Sequence, residues 1–238
     1  MSQEILLGII TFFTSTIAGV VGLGGGMILI AILPSFLPIN ALVPVHGLTQ
    51  MSSNISRAVF GYRDVKLEVI PKFLFGSILG VSFFAMILYF ISLDYVPLFI
   101  GVYILLSMWS NKFNKKIERF ESYVLIGFFQ SGLSIIVGAT GPLATTLLVK
   151  DYDDKHTIVA TAAALKSITH ILKVFAFMIF GFVFFDYIGI LTGMIIGAVA
   201  GSWAGTKLRD KIDGKKFMLA LKILLSILAI KLIVGLFI

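Results

Sequence analysis

The sequence predicts an all-α polytopic membrane protein built as two inverted five-helix repeats. Three observations carry that prediction. Apolar residues fill 58% of the 238 positions and charged ones only 13%, with mean hydropathy +1.05; a soluble domain carries about twice that charge. A polar pattern recurs at a fixed offset, Gln50 to Lys166 and Gly22 to Gly138 being equally far apart. The basic residues outside the apolar runs gather in four loops, all of which fall on one side if every run crosses.

Taken in order, the apolar runs fall at about 3–21, 27–38, 46–62, 70–92 and 95–110. A basic linker at 111–121 follows, then 122–138, 142–150, 156–181, 187–207 and 214–237. The whole chain, 1–238, reads as one transmembrane domain, with repeat 1 at about 3–110, a cytoplasmic linker at 111–121 and repeat 2 at about 122–238. The opening Met1-Ser2-Gln3-Glu4 lacks the basic stretch of a signal peptide, so the first run is read as a helix. The second and seventh runs are short, and each starts at a glycine motif. Pro34, Pro38 and Pro44 interrupt the region after the first motif, so it cannot be one regular helix. Gly76 and Gly80 in the fourth run match Gly193, Gly197, Gly201 and Gly205 in the ninth, a small-residue pattern for close helix packing.

Four loops carry Arg63, Lys66 and Lys72; Lys112, Lys115, Lys116 and Arg119; Lys150 and Lys155; and Lys207, Arg209, Lys211, Lys215 and Lys216. The other connections carry no Lys or Arg. If all ten runs cross, these loops share one side, which the positive-inside rule makes cytoplasmic. Both termini are then expected outside a cell membrane. If the two short runs are re-entrant instead, the loop at 207–216 falls outside, against the rule, so ten crossings are expected. Five runs per half invert the second half relative to the first, an arrangement typical of secondary transporters.

Both repeats place polar side chains inside apolar helices. After Gly22-Leu23-Gly24-Gly25-Gly26 come Gln50, Ser53, Asn54 and Arg57; after Gly138-Ala139-Thr140-Gly141-Pro142 come Lys166, Thr169, His170 and Lys173. Steps of 4 and 7 residues turn an α-helix by about 40° and −20° net, so each set shares one narrow face. A charge at the centre of a membrane helix costs about 2.5–3.5 kcal/mol on insertion scales, so a duplicated polar face points to a duplicated transport site.

The sign of the charge is informative. All twelve acids (Glu4, Asp64, Glu68, Asp94, Glu118, Glu121, Asp151, Asp153, Asp154, Asp186, Asp210 and Asp213) lie near run ends or in loops. Apart from the fourteen at the four loops, five bases remain for the membrane: Arg57, Lys166, Lys173, Lys222 and Lys231. Lys222 and Lys231 are within snorkelling reach of an interface. A membrane interior with bases and no acids suits an anion. The expected shell is Lys166 or Lys173 with Arg57, Gln50, Asn54 and His170. Backbone N–H groups at Gly22, Gly24, Gly25, Gly26, Gly138, Thr140 and Gly141 complete it, with Pro142, which has no N–H, closing the second motif. His46 and His156 read as loop or interface histidines and are assigned no role.

Several classes are excluded. There is no cysteine, hence no disulfide or thiolate metal site. The glycine motif is not the dinucleotide fingerprint, because its third glycine is misplaced and no strand precedes it. Walker, HExxH, GxSxG and paired-carboxylate signatures do not occur, so no enzyme activity, cofactor or metal is expected. The charge of +7 lies in loops on one side, which argues against nucleic acid as a partner.

The first glycine motif after an N-terminal helix, the later Gly138-x-x-Gly141-Pro142 and the run Ala160-Thr161-Ala162-Ala163-Ala164 resemble the TauE/SafE sulfite-exporter-like permeases. The resemblance covers nearly the whole chain. It implies a secondary carrier for sulfite, sulfonates, sulfoacetate, thiosulfate or related small organic anions in a bacterial or archaeal cell membrane. Members are described with seven or eight spans, fewer than the ten expected here. The partners it implies are a small anionic substrate, with or without a coupled proton, and the bilayer. An anion channel, or a carrier of another small organic anion, is the alternative. Substrate, direction, coupling ion and oligomeric state, a homodimer included, stay open at this point.

Overall fold

The computed structural model describes the backbone of residues 2–212 and 214–235, and the side chains within them except at 118, 142 and 214–217. Asp213 and the last residues of the tenth run, 236–237, lie outside the described residues. Among those described there are eleven α-helices and no strand. They are α1 (Gln3–Val21), α2 (Gly25–Ile32), α3 (Ile39–Phe60), α4 (Ile70–Leu88), α5 (Val96–Trp109), α6 (Asn111–Glu118), α7 (Tyr123–Val137), α8 (Pro142–Asp151), α9 (Lys155–Ile179), α10 (Ile188–Leu208) and α11 (Gly214–Val234). Each of the ten apolar runs holds a helix; α6 is the additional one, formed within the basic linker, where the Ser110 hydroxyl accepts from Phe113 N at 3.2 Å.

The expectation of ten full crossings needs correction. The 8 residues of α2 and 10 of α8 make rods of about 12 and 15 Å at 1.5 Å per residue, against a hydrocarbon core of about 30 Å. Apolarity alone gave those runs the look of spans; their helices are half-length. Four helices are long and apolar enough to cross: α1, α4 with its preceding turn, α9, and α10 with its preceding turn. Counting α5 and α6, bent by 86° at Ser110, makes five. The region after the first motif is not one regular helix: Pro34 and Pro38 fall between α2 and α3, while Pro44 lies inside α3. At the sixth position its missing N–H costs one early helix bond, and the helix starts seven residues before the apolar run did.

Hydrogen bonds gather the basic loops at one end of the molecule. Lys66 N donates to Thr161 Oγ1 at 3.0 Å, Tyr152 OH to Glu68 at 2.9 Å, Tyr123 OH to Asp151 at 2.7 Å and Lys155 Nζ to Arg209 O at 2.7 Å. At the other end Gln3 Nε2 donates to Phe36 O at 2.7 Å, and the segment after α2 has returned to the start of α1. The four basic loops thus share one end, as their charge pattern predicts.

Two helix pairs form the frame. In α1 and α10, Gly8 faces Gly193 and Gly19 faces Gly205, so the helices run parallel with backbones touching; a Cβ on Gly8 would sit 2.9 Å from Gly193 O. In α4 and α7, Gly76 faces Val124 and Gly80 faces Phe128, again in parallel. The glycine spacing is therefore close packing. Between the pairs stand α3 and α9, which run in opposite directions, since Gly47 meets Lys173 and Gly61 meets Ala160.

Buried hydroxyls join each central helix to its frame. Ser53 of α3 bonds Ser15 of α1 and Ser202 of α10, both at 3.0 Å. Thr169 of α9 bonds Ser131 of α7 at 2.8 Å, and Ser131 bonds Ser77 of α4 at 2.8 Å. The apolar core fills the remaining space around α2, α3 and α5, with Leu29, Ile30, Leu42 and Ile104 at 0–1% exposure.

Candidate functional site

The two broken helices set the site. α1 ends at Gly22 with φ 84° and α7 at Gly138 with φ 73°, both in the left-handed region that glycine enters without a Cβ penalty. After each break a half-helix begins, α2 at Gly25 and α8 at Pro142. The first N–H groups of a helix have no partner within it and carry the positive end of its dipole. Gly24, Gly26, Thr140 and Gly141, around those two starts, line a common cavity of about 40 Å³. By that measure one water needs about 10–15 Å³, so the space suits a few waters or one small oxyanion.

Side chains from α3 and α9 close the cavity: His46, Gln50, Asn54 and Arg57 from one, Lys166, Thr169 and His170 from the other. All seven are buried. Arg57 is held by its own helix, donating to Asn54 Oδ1 at 3.2 Å and Ser53 Oγ at 3.0 Å, while Asn54 Nδ2 donates to Gln50 O at 2.7 Å. The lysines reach elsewhere. Lys166 Nζ donates to Gly22 O at 2.8 Å and Lys173 Nζ to Gly138 O at 2.5 Å. One helix thereby touches the carbonyl at both breaks.

Ten of the fourteen sequence-predicted residues line the cavity: Gly22, Gly24, Gly26, Gln50, Asn54, Arg57, Thr140, Gly141, Lys166 and His170. Four do not. Gly25 packs its Cα against the Thr14 carbonyl and the Ala18 side chain of α1. Gly138 supplies the carbonyl taken by Lys173, and Pro142 starts α8. Lys173 is fully buried but lies two turns beyond Lys166, about 10 Å along α9.

His46 corrects an expectation. Far from a loop, it is fully buried in α3, with Nε2 2.9 Å from Gly26 O and its ring edge-on to His170 at 5.8 Å. Facing a carbonyl, Nε2 carries the hydrogen and leaves Nδ1 as the acceptor in the neutral ring. His156, by contrast, is part-exposed at the basic end, 3.1 Å from Asp210, where an interface histidine was expected. Gln130 was missed. Its Oε1 accepts from Ala144 N at 2.8 Å in the first turn of α8, its Nε2 donates to Thr169 Oγ1 at 3.2 Å, and Thr140 Oγ1 donates to its carbonyl at 2.8 Å. It fixes the start of α8 against α9. Arg209, read as a loop base, is buried and donates from Nε to Gly19 O at 3.0 Å.

The chemistry is one-sided. Among the described residues no Asp or Glu is buried and none lines the cavity, whereas Arg57 and Lys166 do. Arg57 Nε and the Nδ1 atoms of His46 and His170 are buried without a hydrogen-bond partner. Buried polar atoms are nearly always paired; Arg57 Nε, a donor beside the charges of Arg57 and Lys166, suits a guest that accepts hydrogen bonds and carries negative charge, whereas His46 Nδ1 is left as an acceptor. No group of three or more His, Cys, Asp or Glu that could hold a metal occurs among the described residues.

Residues 7–232 match the model of the sulfite exporter TauE/SafE family. No curated protein and no solved structure gives a match.

Proposed function

Since the chain belongs to the TauE/SafE sulfite-exporter family, a family of membrane transporters, we propose that it is a secondary carrier holding one small sulfur-containing anion in the central cavity. Sulfite, sulfonates, sulfoacetate and thiosulfate form the substrate class. One observation carries the reading: an oxyanion-sized cavity lined by two cations, one of them with an unpartnered Nε donor, and by no described carboxylate. Arg57 and Lys166 supply charge, Gln50, Asn54 and His170 supply side-chain donors, and the starts of α2 and α8 supply backbone N–H groups. A coupled proton travels on His170 or on the anion itself, because no buried carboxylate offers a route.

An inverted-repeat design accounts for several features at once. α3 and α9 run oppositely, each glycine break is followed by a half-helix, and the hydroxyl chains Ser15–Ser53–Ser202 and Thr169–Ser131–Ser77 involve corresponding helices. The basic end is assigned to the cytoplasm and both termini to the outside, on the positive-inside rule. Because the chain has no cysteine, Lys115→Cys or Ile212→Cys reports directly. Labelling from outside intact cells overturns that orientation.

The function itself is tested by thermal-shift titration with sulfite, thiosulfate, sulfoacetate, acetate and monovalent cations, followed by sulfite uptake in proteoliposomes. A ligand that binds only the folded state raises Tm with concentration by mass action. Stabilisation by a sulfur oxyanion or sulfonate, with saturable uptake, is expected. Stabilisation by cations alone overturns the reading, and uptake that never saturates replaces the carrier by a channel.

A further inference from the structure

Leu23 belongs to two spaces. One face lines the central cavity, and the other lines a second pocket of about 260 Å³ that it shares with Ser107, Asn114, Ile117, Thr146 and Lys222. This second pocket reaches the basic end, since Asn114 and Ile117 belong to α6 in the basic linker. Its lining holds one charged group, Lys222, whose Nζ stands 4.9 Å from the centre of the Trp109 ring. No described carboxylate pairs with it, and none lines the pocket. Among the described residues, Leu23 is the one that both linings share.

That side chain sits on backbone able to move. Leu23 lies between α1 and α2, flanked by Gly22 at φ 84° and Gly24 at φ 91°. Two left-handed glycines can change conformation without unwinding either helix. The carbonyl immediately before Leu23 is that of Gly22, held by Lys166. On its far side, the Leu221 side chain of α11 rests against Gly24.

We propose that the second pocket is the basic-end vestibule for the anion, with Leu23 as its gate and Lys222 as the cation that draws the anion in. The bond from Lys166 to Gly22 O is the latch. An anion reaching the central cavity competes for the Lys166 ammonium, frees the Gly22 carbonyl and lets the Leu23 turn shift. The inference rests on the anion reading of the central cavity, but its test reads the vestibule separately.

Asn114→Cys gives the cysteine-free protein one thiol in the vestibule. The purified variant is treated with a methanethiosulfonate bearing either an ethylsulfonate or an ethyltrimethylammonium group, each rate normalised to a free small thiol. The sulfonate is expected to react at least fivefold faster than the cation. Lys222→Gln should abolish that preference and Lys222→Arg restore it, a pattern that misfolding cannot produce. Modified protein should lose at least tenfold of its sulfite uptake, and Leu23→Phe should slow uptake similarly. Equal reaction with both reagents, or full uptake after modification, overturns the vestibule. If the parent protein binds no sulfur anion, the central-cavity reading falls, while the reagent preference still decides whether Lys222 draws anions into this pocket.

Discussion

In α3 the single cation is contained: Arg57 is bonded to Asn54 and Ser53 one turn back on its own helix. In α9 the two cations are extended, Lys166 to Gly22 O across the molecule and Lys173 to Gly138 O. The four positions correspond one to one in sequence, Gln50 with Lys166, Ser53 with Thr169, Asn54 with His170 and Arg57 with Lys173. Their chemistry has diverged. α3 offers a fixed guanidinium and neutral donors. α9 offers ammonium groups that each spend one of three N–H donors on a backbone carbonyl. The difference teaches that the two helices hold their cations differently: α3 within itself, α9 on the carbonyls at the two breaks.

The comparison breaks most visibly at Lys166. Lys166→Glu removes a charge-assisted bond worth about 1.5–3 kcal/mol and puts a repelling charge in the cavity. Sulfite Kd from thermal-shift titration should rise at least about a hundredfold, since each 1.4 kcal/mol is about tenfold. A change under threefold would mean that α9 does not read the anion.

Lys173→Met is the sharper contrast. Lys173 is fully buried and off the cavity, so its loss leaves Gly138 O without its partner. Unfolding free energy should drop by about 1–3 kcal/mol, the cost of an unsatisfied buried group, while sulfite Kd stays within threefold. A Kd shift as large as that of Lys166→Glu would make both lysines substrate ligands. Asn54→Asp probes the contained cation, by giving Arg57 a carboxylate in place of an amide. Sulfite affinity should weaken about tenfold, as one neutralised charge-assisted contact costs about 1.5 kcal/mol; unchanged affinity would exclude Arg57 from binding.

The smallest effect concerns how the two helices start. α3 begins after Pro38 with no side-chain cap, whereas Asp154 caps α9 by accepting from Thr157 N at 2.7 Å. Bonds from the Thr157 backbone and then its hydroxyl hold the Asp154 carboxyl below its usual range. A carboxyl with the lower pKa in the folded state stabilises at neutral pH, and that contribution is lost as pH falls through the lowered value. Asp154→Ala should therefore lower Tm slightly at pH 7 and not at all in strong acid. An equal loss at every pH would show the effect is not the carboxylate's.

Much of this site was legible because polar residues in an apolar helix are costly and their spacing names a face. That argument found Gln50, Asn54, Arg57, Lys166 and His170. It placed Lys173 on the right face but could not give depth, which two helical turns decide. His46 is four residues before Gln50 and so on the same face, yet Pro44 made the region look interrupted. Gln130 lies beside Ser131 in an otherwise largely apolar α7, the same signal that marked Gln50, but without a partner in the repeat to draw attention to it. The shortness of α2 and α8 was legible in their runs, 27–38 and 142–150; the charge pattern nonetheless asked each of them to cross.

The glycine-lined contacts of α1 with α10 and of α4 with α7 have a mechanical consequence. Each pair joins a helix of the first half to one of the second, backbone on backbone. Rocking one half against the other would pull both pairs apart, exposing surfaces that no side chain fills. The cheaper motion keeps both pairs as stationary pillars and slides the lighter parts between them: the half-helices, their glycine hinges and the polar stretches of α3 and α9. A protein of this size can then open and close without its outer wall, the part that meets lipid, changing shape.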